Sequence, residues 1–184
     1  KNPNGPADPI IVHPDVRRML MDQKSFVEAA RCFAFWTALH GDLEGKSDDP
    51  AMREKGGDYM ALLTPIVRSY LTGKGYDMVS NGLQIHGGYG FTEEWGASQL
   101  LRDARITLIY EGTNGVQALD LVGRKLAMNG MRPITTFMGE LEAFIDEGGD
   151  ETTQPFIDAL AECRDNLKQG TDWLMNNALE NFDH

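Results

Sequence analysis

The amino-acid sequence predicts an all-α protein, a four-helix up-down bundle with additional C-terminal helices. Apolar residues recur at intervals of three and four in several long segments, which is the period of one face of an α-helix. No convincing stretch alternates polar and apolar residues with period two over the length of a strand. With 184 residues, 41% of them hydrophobic, the chain can bury a core of its own.

The first predicted helix follows a short lead-in. Residues 1–12 are rich in Pro and Gly, which favours an extended chain. A helix should then begin at Pro14, because proline is tolerated in a first turn and Asp15 lies at the positive end of the helix dipole. An apolar face at three-and-four spacing continues this helix to about Leu43.

A second long helix is predicted over about 59–85, after a polar and turn-rich connection over 41–58. Pro65 lies inside this helix and is a candidate kink. The glycine-rich stretch over 86–96 should interrupt it, and a shorter helix is predicted over about 94–105.

The remaining elements begin with an apolar run over 106–110, which is predicted to be buried. Asn114 and Gln117 are spaced like a capping box and predict the start of a helix that runs to about Met128. The stretch MNGMRP should end it. Two additional helices are predicted beyond this break, over 134–148 and about 156–179.

Composition excludes several classes of function. The formal net charge is −11, and no cluster of Lys or Arg alternates with aromatic residues, so no nucleic-acid surface is expected. No apolar run approaches the roughly 20 residues that span a bilayer, and no signal-peptide pattern is present, so we expect a cytoplasmic protein without a membrane span. The carboxylates lack the spacing of a metal site, and none is expected.

Two further features concern the cysteines and the ends of the chain. Cys32 and Cys163 lie far apart in helical segments, which predicts free, buried thiols in a reducing compartment. The sequence begins with Lys1 rather than Met, and residues 176–184 continue a helical pattern without a C-cap signal. We therefore expect a fragment that is cut at both ends.

The glycines of QIHGGYG, at positions 87, 88 and 90, permit a tight turn and let the backbone approach a ligand closely. Simple helix termination explains them as well, because they do not form G-x-G-x-x-G after a strand. His86 has no Ser, Cys or second His at useful spacing, so a structural role is predicted. The arginines of RDAR, 102–105, are interpreted as part of a solvated face or as partners in ion pairs rather than as a phosphate clamp.

Glu111 stands between the apolar run and the start of the next helix. A carboxylate partly removed from water binds a proton more tightly, which suits it to take a proton from carbon near neutral pH. The alternative is an exposed glutamate that complements a helix dipole. The residues alone leave both interpretations open.

The stretch over 84–117, QIHGGYGFTEEWGASQLLRDARITLIYEGTNGVQ, closely resembles the C-terminal helical domain of the acyl-CoA dehydrogenases. A Q-I-x-G-G-x-G turn, an R-D-A-[KR]-I helix end and an I-Y-E-G-T junction occur there in the same order. HPDVRRMLMDQK is similar to the first long helix of that domain. The resemblance implies a bundle domain over 1–129, and the N-terminal helical and β-domains of the family are not in this chain.

The helices beyond the bundle resemble the longer-tailed branch of the family, which includes the 3-methylmercaptopropionyl-CoA dehydrogenases. This resemblance implies a truncated helical extension over 130–184. The implied function is that of an FAD-dependent oxidoreductase of fatty acid metabolism, which converts an acyl-CoA thioester to a trans-2-enoyl-CoA.

Glu111 matches the general base of the family. By resemblance, it takes the proton alpha to the thioester carbonyl while hydride leaves the beta carbon for the flavin. Its backbone N–H and a flavin ribityl hydroxyl would donate to the carbonyl oxygen, because the alpha proton is too weakly acidic without such polarisation in a dry site. Tyr110 and Gly112 would flank the thioester, and Gly112 would leave room beside the flavin.

The family also implies residues that contact FAD. Three of them approach the pyrophosphate and adenine side, usually from the neighbouring subunit: Gln84, Gly87 and Gly88. Thr113 matches another FAD-contacting position. A glutamine is frequent in the family where this chain has Gly115, and Gln117 is expected to replace its contact in part.

The implied partners are an acyl-CoA substrate, an electron acceptor such as an electron-transfer flavoprotein, and further copies of the chain in a homodimer or homotetramer. The fragment alone is expected to be inactive and to bind FAD weakly or not at all. Two alternatives remain. One is an acyl-CoA oxidase type of flavoenzyme, and the other is a non-catalytic helical oligomerisation domain in which Glu111 is vestigial.

Overall fold

The structure is a computed structural model that describes residues 4–177. Within this range it contains α-helices and short helical turns and no strand, which confirms the all-α prediction. The helices are α1 Pro14–Lys46, α2 Pro50–His86, α3 Gly88–Phe91, α4 Ala97–Ile106, α5 Asn114–Asp120, α6 Met128–Glu147 and α7 Gln154–Asn177. A 3-10 turn, Ile10–Val12, precedes α1, and a second 3-10 turn, Glu93–Trp95, and a π-helical turn, Leu121–Lys125, lie between later helices.

The chain divides into two compact units. Unit 1 comprises residues up to 39 together with 66–117, and unit 2 comprises 40–65 together with the residues from 118 onward. None of the helices in the described range has the length and apolarity to span a bilayer. The same residues contain no cluster of three or more His, Cys, Asp or Glu that could hold a metal ion.

The connection predicted over 41–58 is wrong. The first helix ends at Lys46 and the second begins at Pro50, so that only a short turn separates them. Asp49 Oδ1 accepts the N–H of Ala51 at 2.9 Å, which caps the start of α2. The polar residues on either side of this turn therefore belong to the exposed faces of two helices.

Gly56 and Gly57, which resemble turn residues in the sequence, lie inside α2 where it crosses α1 in unit 2. A Cβ on Gly56 would lie 2.6 Å from His40 O and 2.7 Å from Glu44 N. Tyr59 is fully buried and meets the His40 ring edge-on, with ring centroids 4.6 Å apart. Because Gly56 has no side chain, α1 and α2 can cross closely at this point.

The remainder of unit 2 is built on a small apolar core. Its buried residues are Leu62, Leu126 and Ile134. Partly buried side chains of the π-helical turn, α6 and α7 pack against them: Leu121, Met131, Phe137, Met138, Leu174 and Met175. Through these contacts the last two helices share a core with the N-terminal part of α2.

A buried carboxylate holds the break predicted at MNGMRP. The backbone is left-handed at three consecutive residues, Asn129, Gly130 and Met131. Asn129 Nδ2 donates to Asp58 Oδ1 at 2.9 Å, and Arg132 Nε donates to Asp58 Oδ2 at 2.6 Å. The hydrogen bond from the guanidinium lowers the pKa of Asp58 below its ordinary value of 3.8.

In unit 1, the long helices α1 and α2 pack with Phe26 against Tyr70 at a ring-centroid distance of 6.3 Å. The predicted interruption after residue 86 is confirmed, because α2 ends at His86 and Gly87 has a φ of 61°. Gly90 is buried, and a Cβ there would lie 2.5 Å from Leu83 O. This glycine therefore lets α3 fold back on the end of α2.

Two expectations of burial are wrong for this chain. The run over 106–110 is half-exposed, with 52% of Ile106, 49% of Ile109 and 49% of Tyr110 accessible. Cys32 and Cys163 are free, as predicted, but both are exposed. An apolar run in the sequence indicates that burial of these side chains is favourable, but it does not indicate that residues of the same chain bury them.

Several predictions fall on the chain ends. The predicted lead-in turns into a 3-10 helix at its last three residues, Ile10–Val12. Residues 1–3 lie outside the described range. The predicted continuation of α7 to residue 179, and the helical pattern of the last residues, lie beyond residue 177 and outside it as well.

The Asp58 network yields a pH-dependent prediction. Asp58→Asn should lower the free energy of unfolding at pH 7 by about 2 kcal/mol, because Arg132 loses a buried, charged acceptor. Since the folded-state pKa of Asp58 is depressed, the stabilisation is present above the ordinary value of 3.8 and is lost as the pH falls through the lower folded-state pKa. Urea denaturation of the parent and of Asp58→Asn should therefore show that the difference between their free energies of unfolding becomes smaller from pH 7 to pH 3.

Asp42→Asn is the matched control. Asp42 pairs with Lys46 on the exposed surface of α1, so its loss should change the free energy of unfolding by less than about 1 kcal/mol. Equal effects of the two substitutions, or a difference for Asp58→Asn that does not depend on pH, would contradict the assigned role of Asp58.

Candidate functional site

The candidate site is the segment 107–113, which joins α4 to α5 and is called the junction below. Its first turn continues from α4, since the N–H of Tyr110 donates to Ile106 O at 3.1 Å. The backbone then becomes left-handed at two consecutive residues, Glu111 with a φ of 53° and Gly112 with a φ of 89°. A side chain in this region costs about 1 kcal/mol relative to glycine, so Glu111 is held in a strained conformation that its surroundings must stabilise.

Arg68 in α2 stabilises the junction through its guanidinium group. Nη2 donates to Tyr110 O and, at 2.9 Å, to Gly112 O. Nη1 lies 3.7 Å from Glu111 Oε2, and the guanidinium carbon is 5.7 Å from the centroid of the Tyr110 ring. One side chain thus contacts the residue before Glu111, Glu111 itself and the residue after it.

Asn114 provides a second connection between the junction and α2. Its Nδ2 donates to Ser69 O at 3.2 Å, and its Oδ1 accepts the hydroxyl of Thr72 at 3.3 Å. The predicted capping box is therefore wrong, because the Asn114 amide bonds to another helix. The backbone oxygen of Thr113 accepts the first N–H groups of α5, including that of Gln117 at 3.4 Å.

The functional groups of Glu111 are open to solvent in this chain. Its side chain is 74% exposed, so this chain alone does not provide the partial burial that one of the two interpretations of Glu111 requires. Among residues 4–177, no backbone acceptor takes the Glu111 N–H. Tyr110 and Gly112 are exposed beside it. The carboxylate of Glu111 is therefore accessible from solvent.

The glycine turn after α2 is also accessible. Gln84 is exposed in the last turn of the helix, and a Cβ on Gly87 or on Gly88 would meet nothing within 4 Å. The His86 ring uses Nδ1 in a 2.8 Å contact with Gly82 O, which supports the structural role predicted for it. Gly87 and Gly88 therefore present backbone that a ligand could approach without displacing a side chain.

The two groups of predicted site residues do not meet within one chain. Glu111 and Thr113 belong to the junction, which is held at Arg68, whereas Gln84 belongs to the far end of the same helix. Arg68 and Gln84 are 16 residues apart in α2, which corresponds to about 24 Å along a helix. The glycine turn and the junction are therefore separate surfaces of unit 1.

Sequence reasoning missed Arg68, Ser69 and Thr72. No local signal points to them, because their partners lie 42 to 45 residues further along the chain. Arg102, which the sequence did single out, forms two hydrogen bonds to the Glu93 carboxylate at 2.9 and 3.0 Å. It is an ion-pair partner, as predicted.

Comparison with known proteins gives one family. The family model for the acyl-CoA dehydrogenase C-terminal domain matches residues 3–127. A 3-methylmercaptopropionyl-CoA dehydrogenase of Ruegeria pomeroyi is 39% identical over 181 residues, covering 94% of this chain and 29% of the relative. A butyryl-CoA dehydrogenase of Syntrophomonas wolfei is 36% identical over 144 residues, covering 78% of this chain and 24% of the relative.

A broad-specificity linear acyl-CoA dehydrogenase of Mycobacterium tuberculosis is 33% identical over 147 residues, covering 78% of this chain and 24% of the relative. The chain therefore spans less than a third of the length of each of these three relatives.

The strain at Glu111 can be measured. Glu111→Gly should raise the free energy of unfolding by about 1 kcal/mol, because glycine adopts a positive φ without a Cβ clash and the exposed contact with Arg68 contributes little. The control Glu94→Gly changes an exposed glutamate of the 3-10 turn, which lacks a positive φ, and should be destabilising. A loss of stability for Glu111→Gly in urea denaturation would show that the junction is not strained.

Proposed function

The chain belongs to the acyl-CoA dehydrogenase family, as a C-terminal domain, and we propose that it supplies the catalytic base of an FAD-dependent oxidoreductase. The reaction is the α,β-dehydrogenation of an acyl-CoA thioester to a trans-2-enoyl-CoA. The observation that carries the proposal is the strained, solvent-accessible Glu111, which Arg68 and α2 hold at the junction. Strain of this kind is concentrated at functional sites.

Glu111 is proposed to act through two groups. Its carboxylate removes the proton from the alpha carbon, and its backbone N–H donates to the thioester carbonyl oxygen, where negative charge develops. Among residues 4–177 this N–H has no backbone acceptor, which supports the second role. Because both groups belong to one residue, a ligand seated on the junction can meet them together.

The neighbours of Glu111 are proposed to bind the thioester. Gly112 has no side chain and leaves space beside the left-handed turn, while Tyr110 lies on the other side of Glu111 with about half of its surface exposed. A covering ligand would exclude water from the carboxylate and strengthen its interaction with the reacting carbon.

FAD is the cofactor that the family implies. Gly87 and Gly88, whose surroundings are open, fit the close approach of a pyrophosphate, and Gln84 is exposed beside them. Thr113 in the junction and Gln117 in α5 are proposed to contact FAD as well. When bound, FAD accepts the hydride that leaves the beta carbon. The separation of about 24 Å along α2 supports a glycine turn that serves the flavin of another subunit.

Exposed apolar side chains support assembly with further copies or domains. Three aromatic residues near the glycine turn are accessible, Tyr89 by 67%, Phe91 by 78% and Trp95 by 63%. Apolar surface of this kind favours burial at an interface. We therefore propose a homodimer or homotetramer, with an electron acceptor such as an electron-transfer flavoprotein as a further partner.

The division of the chain also remains a proposal. The family match ends at residue 127, which supports a bundle domain over 1–129 and a helical extension over 130–184. The relative from Ruegeria pomeroyi matches across both.

Flavin bleaching tests the proposed function. A full-length flavoprotein that contains this chain should bleach with one or more acyl-CoA thioesters from a panel that includes 3-methylmercaptopropionyl-CoA and butyryl-CoA. Glu111→Gln keeps the size of the side chain and removes the base, so bleaching should slow by about 10²- to 10⁴-fold while FAD remains bound. Glu94→Gln, which changes an exposed glutamate in a neighbouring turn, should bleach like the parent.

Two results would contradict the proposal. If no thioester bleaches the parent although it holds both FAD and thioester, the dehydrogenase function is wrong and a helical assembly domain takes its place. If Glu111→Gln bleaches as fast as the parent, the base is another residue.

A further inference from the structure

We propose that Arg68 is a positioning residue for the proton transfer, which holds the Glu111 backbone and carboxylate in place without touching the substrate. This inference deepens the proposed function and rests on Glu111 being the base. It concerns a residue that lies 43 positions away in the sequence, on a different helix. Its support comes from the contacts that the guanidinium makes on both sides of Glu111.

The two terminal nitrogens of Arg68 contact different groups of the junction. Nη2 donates to two carbonyl oxygens, those of Tyr110 and Gly112, which flank Glu111. Bonding both carbonyls fixes the two peptide groups on either side of the strained residue. The left-handed backbone at Glu111 is therefore the conformation that the Arg68 contacts select.

Nη1 of Arg68 lies near the Glu111 carboxylate. At 3.7 Å from Glu111 Oε2, Nη1 is too far away for a hydrogen bond but close enough for an ionic attraction. The attraction restricts where the carboxylate lies, while its oxygens keep their lone pairs for an incoming proton. A directly hydrogen-bonded pair would have occupied one of these lone pairs.

Arg68 and the helix turn around it form a rigid support for the junction. The Arg68 side chain is 22% exposed and stacks against Tyr110. One helical turn of α2 also bonds the residue that follows the junction, through Ser69 O and the Thr72 hydroxyl to Asn114. The same stretch of α2 thus holds the chain before and after Glu111.

Arginine and lysine are not equivalent in this role. The guanidinium places two nitrogens in a fixed plane, one for the carbonyls and one for the carboxylate. A lysine keeps the positive charge but has a single nitrogen, which cannot occupy both places. Arg68→Lys therefore separates the positioning of Glu111 from the mere presence of a cation.

The test compares Arg68→Lys with the parent in the holoprotein, using a thioester that bleaches the parent flavin. We expect kcat to fall by about 10²-fold, the loss associated with a displacement of the reacting groups by about 1 Å, while KM and FAD content stay close to those of the parent. The isotope effect for an α-deuterated thioester should rise, because proton removal becomes slower than the other steps. A residue that only supports the fold would not produce this combination.

Arg105→Lys is the matched control. Arg105 also stacks on an aromatic ring, with its guanidinium carbon 5.4 Å from the centroid of Tyr76, and lies outside the junction. This variant should keep the kcat and the isotope effect of the parent.

Asn114→Ala provides a second test of the proposal if Arg68→Lys fails to fold. It removes the parallel connection to Ser69 and Thr72 and should lower kcat by a smaller factor, with the same rise in the isotope effect. An unchanged kcat and isotope effect in Arg68→Lys, or in Asn114→Ala where only that variant folds, would overturn the proposal. These outcomes differ from failure of the proposed function, which is seen when the parent does not bleach or when Glu111→Gln remains fully active.

Discussion

The hydrogen bonds from Arg68 to the carbonyl oxygens of Tyr110 and Gly112 are the interaction on which the candidate site depends. Without these hydrogen bonds, the φ of 53° at Glu111 would not be stabilised, because a residue with a side chain is unfavourable in the left-handed region. A long helix is a suitable support for such contacts, since its own backbone hydrogen bonds keep it rigid. The hydrogen bonds from this rigid helix therefore offset the conformational cost at Glu111.

The same physical constraint explains why a glutamate, rather than a typical turn residue, stands at this position. Gly, Asn or Asp would adopt a positive φ more easily, so the structure accepts a cost to place a longer carboxylate there. The glycine that follows, Gly112, keeps the second left-handed position free of strain. Function is a better explanation than folding for a residue whose side chain is 74% exposed.

The sequence predicts helix ends where local chemistry determines them and misses features that depend on distant residues. The start of α1 at Pro14 and the end of α2 at His86 follow from signals within a few residues. Gly56 misled the prediction, because a glycine at a helix crossing and a glycine in a turn look alike in sequence, and only the nearness of His40 and Glu44 distinguishes them. Arg68 was missed because its partners, Tyr110 and Gly112, also lie far away in the sequence. The resemblance to the acyl-CoA dehydrogenases identified Glu111 as the candidate base. The residues that hold the junction in place could be identified only from the structure.

Every step of the proposed reaction depends on the Glu111 carboxylate, which we propose removes a proton from the carbon next to the thioester carbonyl. The most direct measurement is the exchange of that proton with solvent, followed by NMR, for a thioester bound to the full-length flavoprotein in deuterated water. We expect exchange at the alpha carbon when Glu111 is present, and we expect this exchange to be lost in Glu111→Gln while the ligand stays bound. Exchange at an undiminished rate in the variant would contradict the claim, because the proton would then leave to another group.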